Sequence, residues 1–178
     1  MKFVQPIRKA LGFRTIFNIL GPLANPAGVS AQVMGVADVT LMEPIAQALK
    51  LLDLKHAIVV HSDGLDEIST MGPTKLLELK NGRISASELY ASDYGLAPAH
   101  LEQLKCGDAQ TNAQTIRDIL DARETGPRRD IVLINAAAAV IAANLAPDFE
   151  AALALSSDSI ASGRAAECLA KLIDISNG

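Results

Sequence analysis

Apolar residues along this chain change period several times, and each change predicts an element. Val4, Ile7 and Leu11 recur at helical spacing and stop at Gly12, predicting an opening helix with no capping residue ahead of it. RTIFNILGPLANPAG (14–28) is apolar but broken by Gly21-Pro22 and Asn25-Pro26, which predicts an irregular loop packed against something. AQVMGVA (31–37) and HAIVVHS (56–62) are apolar runs of strand length. Between them, TLMEPIAQALKLLD (40–53) has helical spacing, with Thr40 placed as N-cap, Glu43 three residues on and Pro44 in the first turn. The three segments form a β-α-β unit, whose right-handed crossover makes its strands parallel.

Farther along, KLLELKNGRISASEL (75–89) sets Asn81-Gly82 between two strand-like runs, the strongest short signal for a hairpin. A loop rich in Asp, Ser, Pro and Gly follows (91–110). The remainder is helical: 112–123 with Ile116, Ile119 and Leu120 on one face, 128–145 apolar nearly all round, 148–163 stopped by Gly163, and 164–174. The predicted class is α/β, one unit over 1–178: a parallel β-α-β core, an appended hairpin and helices packed on it.

Composition narrows the function classes. The 178 residues are 49% hydrophobic and 20% charged, enough for one domain with its own core. Aromatic residues are 3% and Trp is absent, so the core is aliphatic and base-stacking platforms are scarce. A net charge of −4 without a basic cluster argues against nucleic-acid binding. No N-terminal signal pattern is present. The longest apolar run, 131–146, is interrupted by Asn135 and Asn144 and is shorter than the ~20 residues of a bilayer span, so no membrane partner is expected. Cys106 and Cys168 lack metal-ligand spacing and read as buried or incidental thiols of a cytoplasmic protein.

Candidate chemistry concentrates after the second strand. HSDGLDEIS (61–69) carries Asp63, Asp66 and Glu67 around Gly64, with Leu65 able to anchor the turn inward. Adjacent carboxylates at the carboxyl end of a parallel strand lie where α/β proteins place ligands, and hard cations take oxygen donors. Spacing alone favours the other reading, an Asp-Gly turn with exposed, solvated acids, and permits the metal reading without compelling it. Arg8 sits near the apolar face of the opening helix, where a guanidinium could pair with a planar carboxylate or merely cover the face with its stem. Arg14 could likewise serve a ligand, or tie the loop to a carbonyl. Gly21-Pro22 is either a rigid pocket wall or only a corner. His56 and His61 lack metal spacing, and His61 reads as a structural hydrogen-bonder. No nucleophile motif, zinc-protease motif, dinucleotide fingerprint or P-loop is found.

The text MKFVQPIRKALGFRTIFNILGPLANPAG, followed by QVMGV and HSDGLDEIS, resembles the anthranilate phosphoribosyltransferases over essentially the whole chain. That resemblance implies part of the large domain of the nucleoside phosphorylase/phosphoribosyltransferase fold. It also implies transfer of phosphoribose from 5-phosphoribosyl 1-pyrophosphate to the amino group of anthranilate, with Mg²⁺, in tryptophan biosynthesis. By the same resemblance Asp66 and Glu67 match the family's metal-binding acids. Arg8 matches the arginine at the anthranilate carboxylate, Gly21 and Pro22 the loop beside anthranilate, and no protein nucleophile is expected. The intact enzyme is implied to be a homodimer. The family's glycine-rich GTGGD and basic KHGNR segments lie upstream of the matched region and are not found in this chain. The chain is therefore expected to be the C-terminal part of the catalytic domain, with little or no transferase activity alone. A class II nucleoside phosphorylase, a relative with another aromatic acceptor, and a non-catalytic scaffold are the alternatives.

Overall fold

The computed structural model describes residues 17–62, 64–105 and 107–178. The predicted opening helix, Arg8, Arg14, Asp63 and Cys106 lie outside them.

Four strands form one sheet in the order β1-β2-β3-β4: Ala31–Gly35, His56–Ser62, Thr74–Lys80 and Arg83–Leu89. β1 and β2 are parallel, as the crossover requires, and the other two pairs are antiparallel. β2 spans the run read from sequence and is buried on both faces, which explains its unbroken hydrophobicity. Alternate residues serve opposite layers. Ile58 and Val60 join Ile134, Ala137, Ala138 and Ile141 on one face. Ala57 and Val59 join Met34, Ile45, Ala46 and Leu49 on the other.

The β3-β4 turn follows its sequence closely. Asn81 and Gly82 both have positive φ (51° and 75°), as a two-residue type I′ turn demands, and Lys80 pairs with Arg83.

Helices follow in chain order: α1 (Phe17–Leu23), α2 (Met42–Leu51), α3 (Leu101–Leu104), α4 (Ala109–Leu120), α5 (Pro127–Ala142), α6 (Phe149–Ala161) and α7 (Arg164–Asn177), with short 3-10 turns at Val39–Leu41 and Ala91–Tyr94. Two expectations are corrected here. The stretch containing Gly21-Pro22 is helical rather than irregular; Pro22 falls in the last turn, one residue before the helix ends. Asn25 then closes the turn, its side chain accepting from Ala27 N–H at 3.0 Å. Thr40 does not cap α2, whose N-cap is Leu41 without a side-chain bond; Asp38 instead caps the 3-10 turn ahead of it, accepting from Thr40 N–H (2.9 Å) and Thr40 O–H (2.7 Å). α4 also begins earlier than its apolar pattern, because Asp108 accepts from Thr111 N–H and starts the helix in polar sequence.

α5 positions the site. Ala137, Ala138 and Ala142 are buried, so the helix lies close on the sheet, with β1 and β2 beneath it. No helix among the described residues is long and apolar enough to cross a membrane.

Candidate functional site

β2 ends at Ser62, and the chain turns immediately. Ser62 N–H donates to Leu65 O (3.1 Å) and Leu65 N–H returns to Ser62 O (3.0 Å), with Gly64 at φ 81°. A left-handed residue is needed there, and glycine supplies it without a Cβ clash. Asp66 and Glu67 follow directly, at the carboxyl end of the parallel pair.

Side chains both near and distant in sequence fix the backbone of this loop. Ser62 Oγ donates to Glu67 O at 2.7 Å and lies 2.8 Å from Thr74 Oγ1. Because the Ser62 proton goes to Glu67 O, Thr74 donates to Ser62, and Thr74 Oγ1 in turn accepts from Ser69 N–H at 3.0 Å. Asn135 on α5 accepts from Ile68 N–H (2.9 Å) and donates to Ile68 O (2.8 Å). Its amide also donates to Ile131 O one turn back (2.9 Å). Ile68 itself is fully buried in the core.

Gly35, the last residue of β1, completes the arrangement. A Cβ there would lie 1.5 Å from the Asp66 carbonyl oxygen, so only glycine lets the acidic loop rest against β1. His61 is the structural hydrogen-bonder expected from sequence; its Nδ1 lies 2.8 Å from Val36 O, tying β2 to the residue after β1.

The acids themselves contrast with this pinned backbone. Among the described residues neither the Asp66 nor the Glu67 carboxylate has a hydrogen-bond donor or cation partner, and both residues are exposed. Glu67 keeps an open edge while it also lines a cavity of about 440 Å³ walled by Leu65, Leu101, Leu104, Ile116 and Ile131, with Arg128 among its polar residues. Burial against that wall is the larger cause, and the neighbouring Asp66 charge the smaller, of a Glu67 pKa raised above its ordinary value. No cluster of three or more His, Cys, Asp or Glu side chains suited to a metal occurs among the described residues. Among the described residues, what the loop offers a cation is two neighbouring carboxylates.

The remaining candidates are dispersed. Pro22 lines a separate cavity of about 160 Å³ with Leu23, Gly28, Gln32 and Leu52, and the acids do not border it. Gly21 is half-buried and Pro22 exposed. Cys168 is exposed and free. Reading the sequence missed Ser62, Thr74 and Gly35 as site residues, and took Asn135 only as an interruption of an apolar run. A lone amide on a buried helix face was the available signal, since such a group must find partners.

Residues 1–166 match the family described as glycosyl transferase family, a/b domain. The chain belongs to that family. A relative from Chloroflexus aurantiacus, an anthranilate phosphoribosyltransferase, is 47% identical over 180 residues covering 100% of this chain and 53% of its own length. The crystal structure of anthranilate phosphoribosyltransferase from Thermus thermophilus superposes with a TM-score of 0.90 at 37% identity, covering 100% of this chain and 53% of that one. The Saccharomyces cerevisiae enzyme in complex with 5-phosphoribosyl 1-pyrophosphate (PRPP) and Mg gives a TM-score of 0.86 at 28% identity, covering 98% and 50%. The resemblance read from the sequence thus holds along the glycosyl transferase family domain, and so does the α/β fold expected from it. The chain spans about half the length of the relatives it matches.

Proposed function

We propose that this chain, a single α/β unit over 1–178, is the metal- and acceptor-binding part of an anthranilate phosphoribosyltransferase. The reaction joins the anthranilate amine to the ribose anomeric carbon as the bond from that carbon to pyrophosphate breaks. One observation carries the reading: two neighbouring carboxylates, unpaired among the described residues, belong to a loop whose backbone is hydrogen-bonded at Glu67, Ile68 and Ser69 and packs against Gly35 at Asp66.

The acids fit a cation that brings its other ligands with it. Mg²⁺ is often held by one or two protein carboxylates together with substrate phosphates and water. The repulsion between Asp66 and Glu67 that helps raise the Glu67 pKa is what a cation relieves. When bound, Mg²⁺ supplies neutralisation of charge growing on the departing pyrophosphate. The chain's own share is to hold Asp66 and Glu67 in place before that charge appears, so no reorganisation is needed at the moment of transfer. Arg8 holds the anthranilate carboxylate by a paired guanidinium contact and turns the amine toward the anomeric carbon. Gly21 and Pro22 form the wall beside the aromatic ring. No protein nucleophile is involved. The partners are the two small-molecule substrates and, in the intact enzyme, a second copy of the chain; the setting is the cytoplasm.

A Mg²⁺ titration of transfer from PRPP to anthranilate tests this, using the polypeptide that carries this chain. Asp66→Asn with Glu67→Gln is expected to raise the Mg²⁺ requirement by ~100-fold or more, beyond the 10–100-fold typical of losing a ligand's supporting partner. An unchanged titration removes the metal assignment. Arg8→Ala is expected to raise KM for anthranilate well above any change for PRPP, and equal changes would make Arg8 structural.

A further inference from the structure

We propose that Asn135 is a positioning residue for the acidic pair: it sets where Asp66 and Glu67 meet the cation by holding the peptide groups of the very next residue. This rests on the metal reading of those two acids and goes one step deeper into it.

The geometry is specific to an amide. Asn presents an acceptor and a donor in one plane, and Asn135 uses both on a single residue, Ile68 N–H at 2.9 Å and Ile68 O at 2.8 Å. It thereby acts as a one-residue strand partner for a loop that has left the sheet. The additional bond to Ile131 O at 2.9 Å locks its own side chain to α5. With the Ile68 side chain fully buried, residue 68 is fixed through its N–H, its C=O and its side chain. Glu67 is attached directly to that fixed point, and its carbonyl is held by Ser62.

α5 does not need this amide in order to pack. Ile134, Ala137, Ala138 and Ile141 already seat it on the sheet through buried apolar contact. A polar group placed in that face is costly unless it is paired. Here both partners lie in the acidic loop or one turn back on α5. The amide thus joins the helix that packs on β1 and β2 to the loop that carries the carboxylates. Groups that orient metal ligands in this way typically change metal affinity by ~10–100-fold when lost.

The test is Mn²⁺ binding by the full chain, followed by electron paramagnetic resonance with inorganic pyrophosphate present. Asn135→Leu keeps the size and removes all three bonds; Asn135→Ala leaves room for water and carries the test should the leucine variant not fold. Either is expected to weaken Mn²⁺ binding by ~10-fold or more in protein shown by urea titration to be folded. Leu133→Ala, buried on the same helix against Ile119 and Ile160, is the control for general destabilisation and is expected to leave the Mn²⁺ midpoint within about two-fold of wild type. Equal Mn²⁺ binding by the folded Asn135 variants and wild type overturns the proposal, as does an equal shift in Leu133→Ala. Asp66→Asn with Glu67→Gln separates the two levels. If that pair abolishes binding while the Asn135 variants retain it, positioning alone is wrong; if neither set changes binding, or wild type binds no Mn²⁺, the metal reading falls and this inference with it.

Discussion

The two ends of β2 use similar residues to opposite ends. At its start, His56 is buried at 1% exposure, with Nε2 2.7 Å from Glu78 Oε1 and Nδ1 3.1 Å from the side-chain oxygen of Asn144. Acid and amide both engage the buried imidazole, and Glu78 Oε1 also lies 3.9 Å from Lys80 Nζ. At its finish, Asn135, Ser62 and Thr74 are turned onto backbone groups, and the acids Asp66 and Glu67 are left open. A polar side chain satisfied by another side chain stabilises a fold. At the finish, side chains hold the loop backbone beside two acids left unpaired among the described residues.

The largest effect that tests this contrast is at the closed end. His56→Ala strips a half-buried Glu78 and the Asn144 oxygen of their shared partner and opens a cavity. It should lower unfolding free energy by about 3 kcal/mol in urea titration. The Mn²⁺ midpoint of the folded protein should not move. A shift there would mean that the two ends are coupled rather than separate.

Gly35→Ala should give a smaller loss of stability and a clear loss of metal binding. Its Cβ would meet the Asp66 carbonyl at 1.5 Å, so the acidic loop must move. About 2 kcal/mol of stability should go, as for overpacking elsewhere, with Mn²⁺ affinity falling ~10-fold. Stability lost without any change in Mn²⁺ binding would show that the exact rest position of the loop is unimportant to the acids.

The smallest effect concerns pH. Glu67 has a folded-state pKa above its ordinary 4.5, through burial first and Asp66 second. Protonation therefore favours the folded state. The contribution is fully present below 4.5 and is lost as pH rises through the raised folded-state value. Glu67→Gln should flatten this part of the metal-free stability profile measured by urea titration. In wild type, Mn²⁺ binding should weaken as pH falls through the same window, because proton and metal compete for one carboxylate. A profile identical in wild type and Glu67→Gln would show that the carboxyl is not held against the apolar wall.

Much of the framework was legible in the sequence because its causes are local. Asn81-Gly82 carries its own backbone preference and places the hairpin to the residue. HAIVVHS could be bounded as a strand because burial on both faces requires an apolar run and ends where polarity returns. Helix starts were harder. Thr40 looked like a cap, but its own N–H and O–H both go to the Asp38 carboxylate, which caps the 3-10 turn ahead of α2. Gly21-Pro22 looked like a break, although a proline in a final turn removes little from a helix that is about to end.

The site divides in the same way. Asp66 and Glu67 could be marked as candidates from the chain alone, since their pairing and their place after a strand are sequence properties, but spacing favoured a solvated turn and only the resemblance pointed to a metal. That Asn135, 67 residues away from Ile68, closes over the loop could not be read off, nor that Gly35 is small because the Asp66 carbonyl lies against it. Periodicity and turn chemistry encode what a residue does with its near neighbours. Which distant side chain satisfies a given peptide group is decided only when the sheet and α5 pack together, because until then water serves those groups equally well.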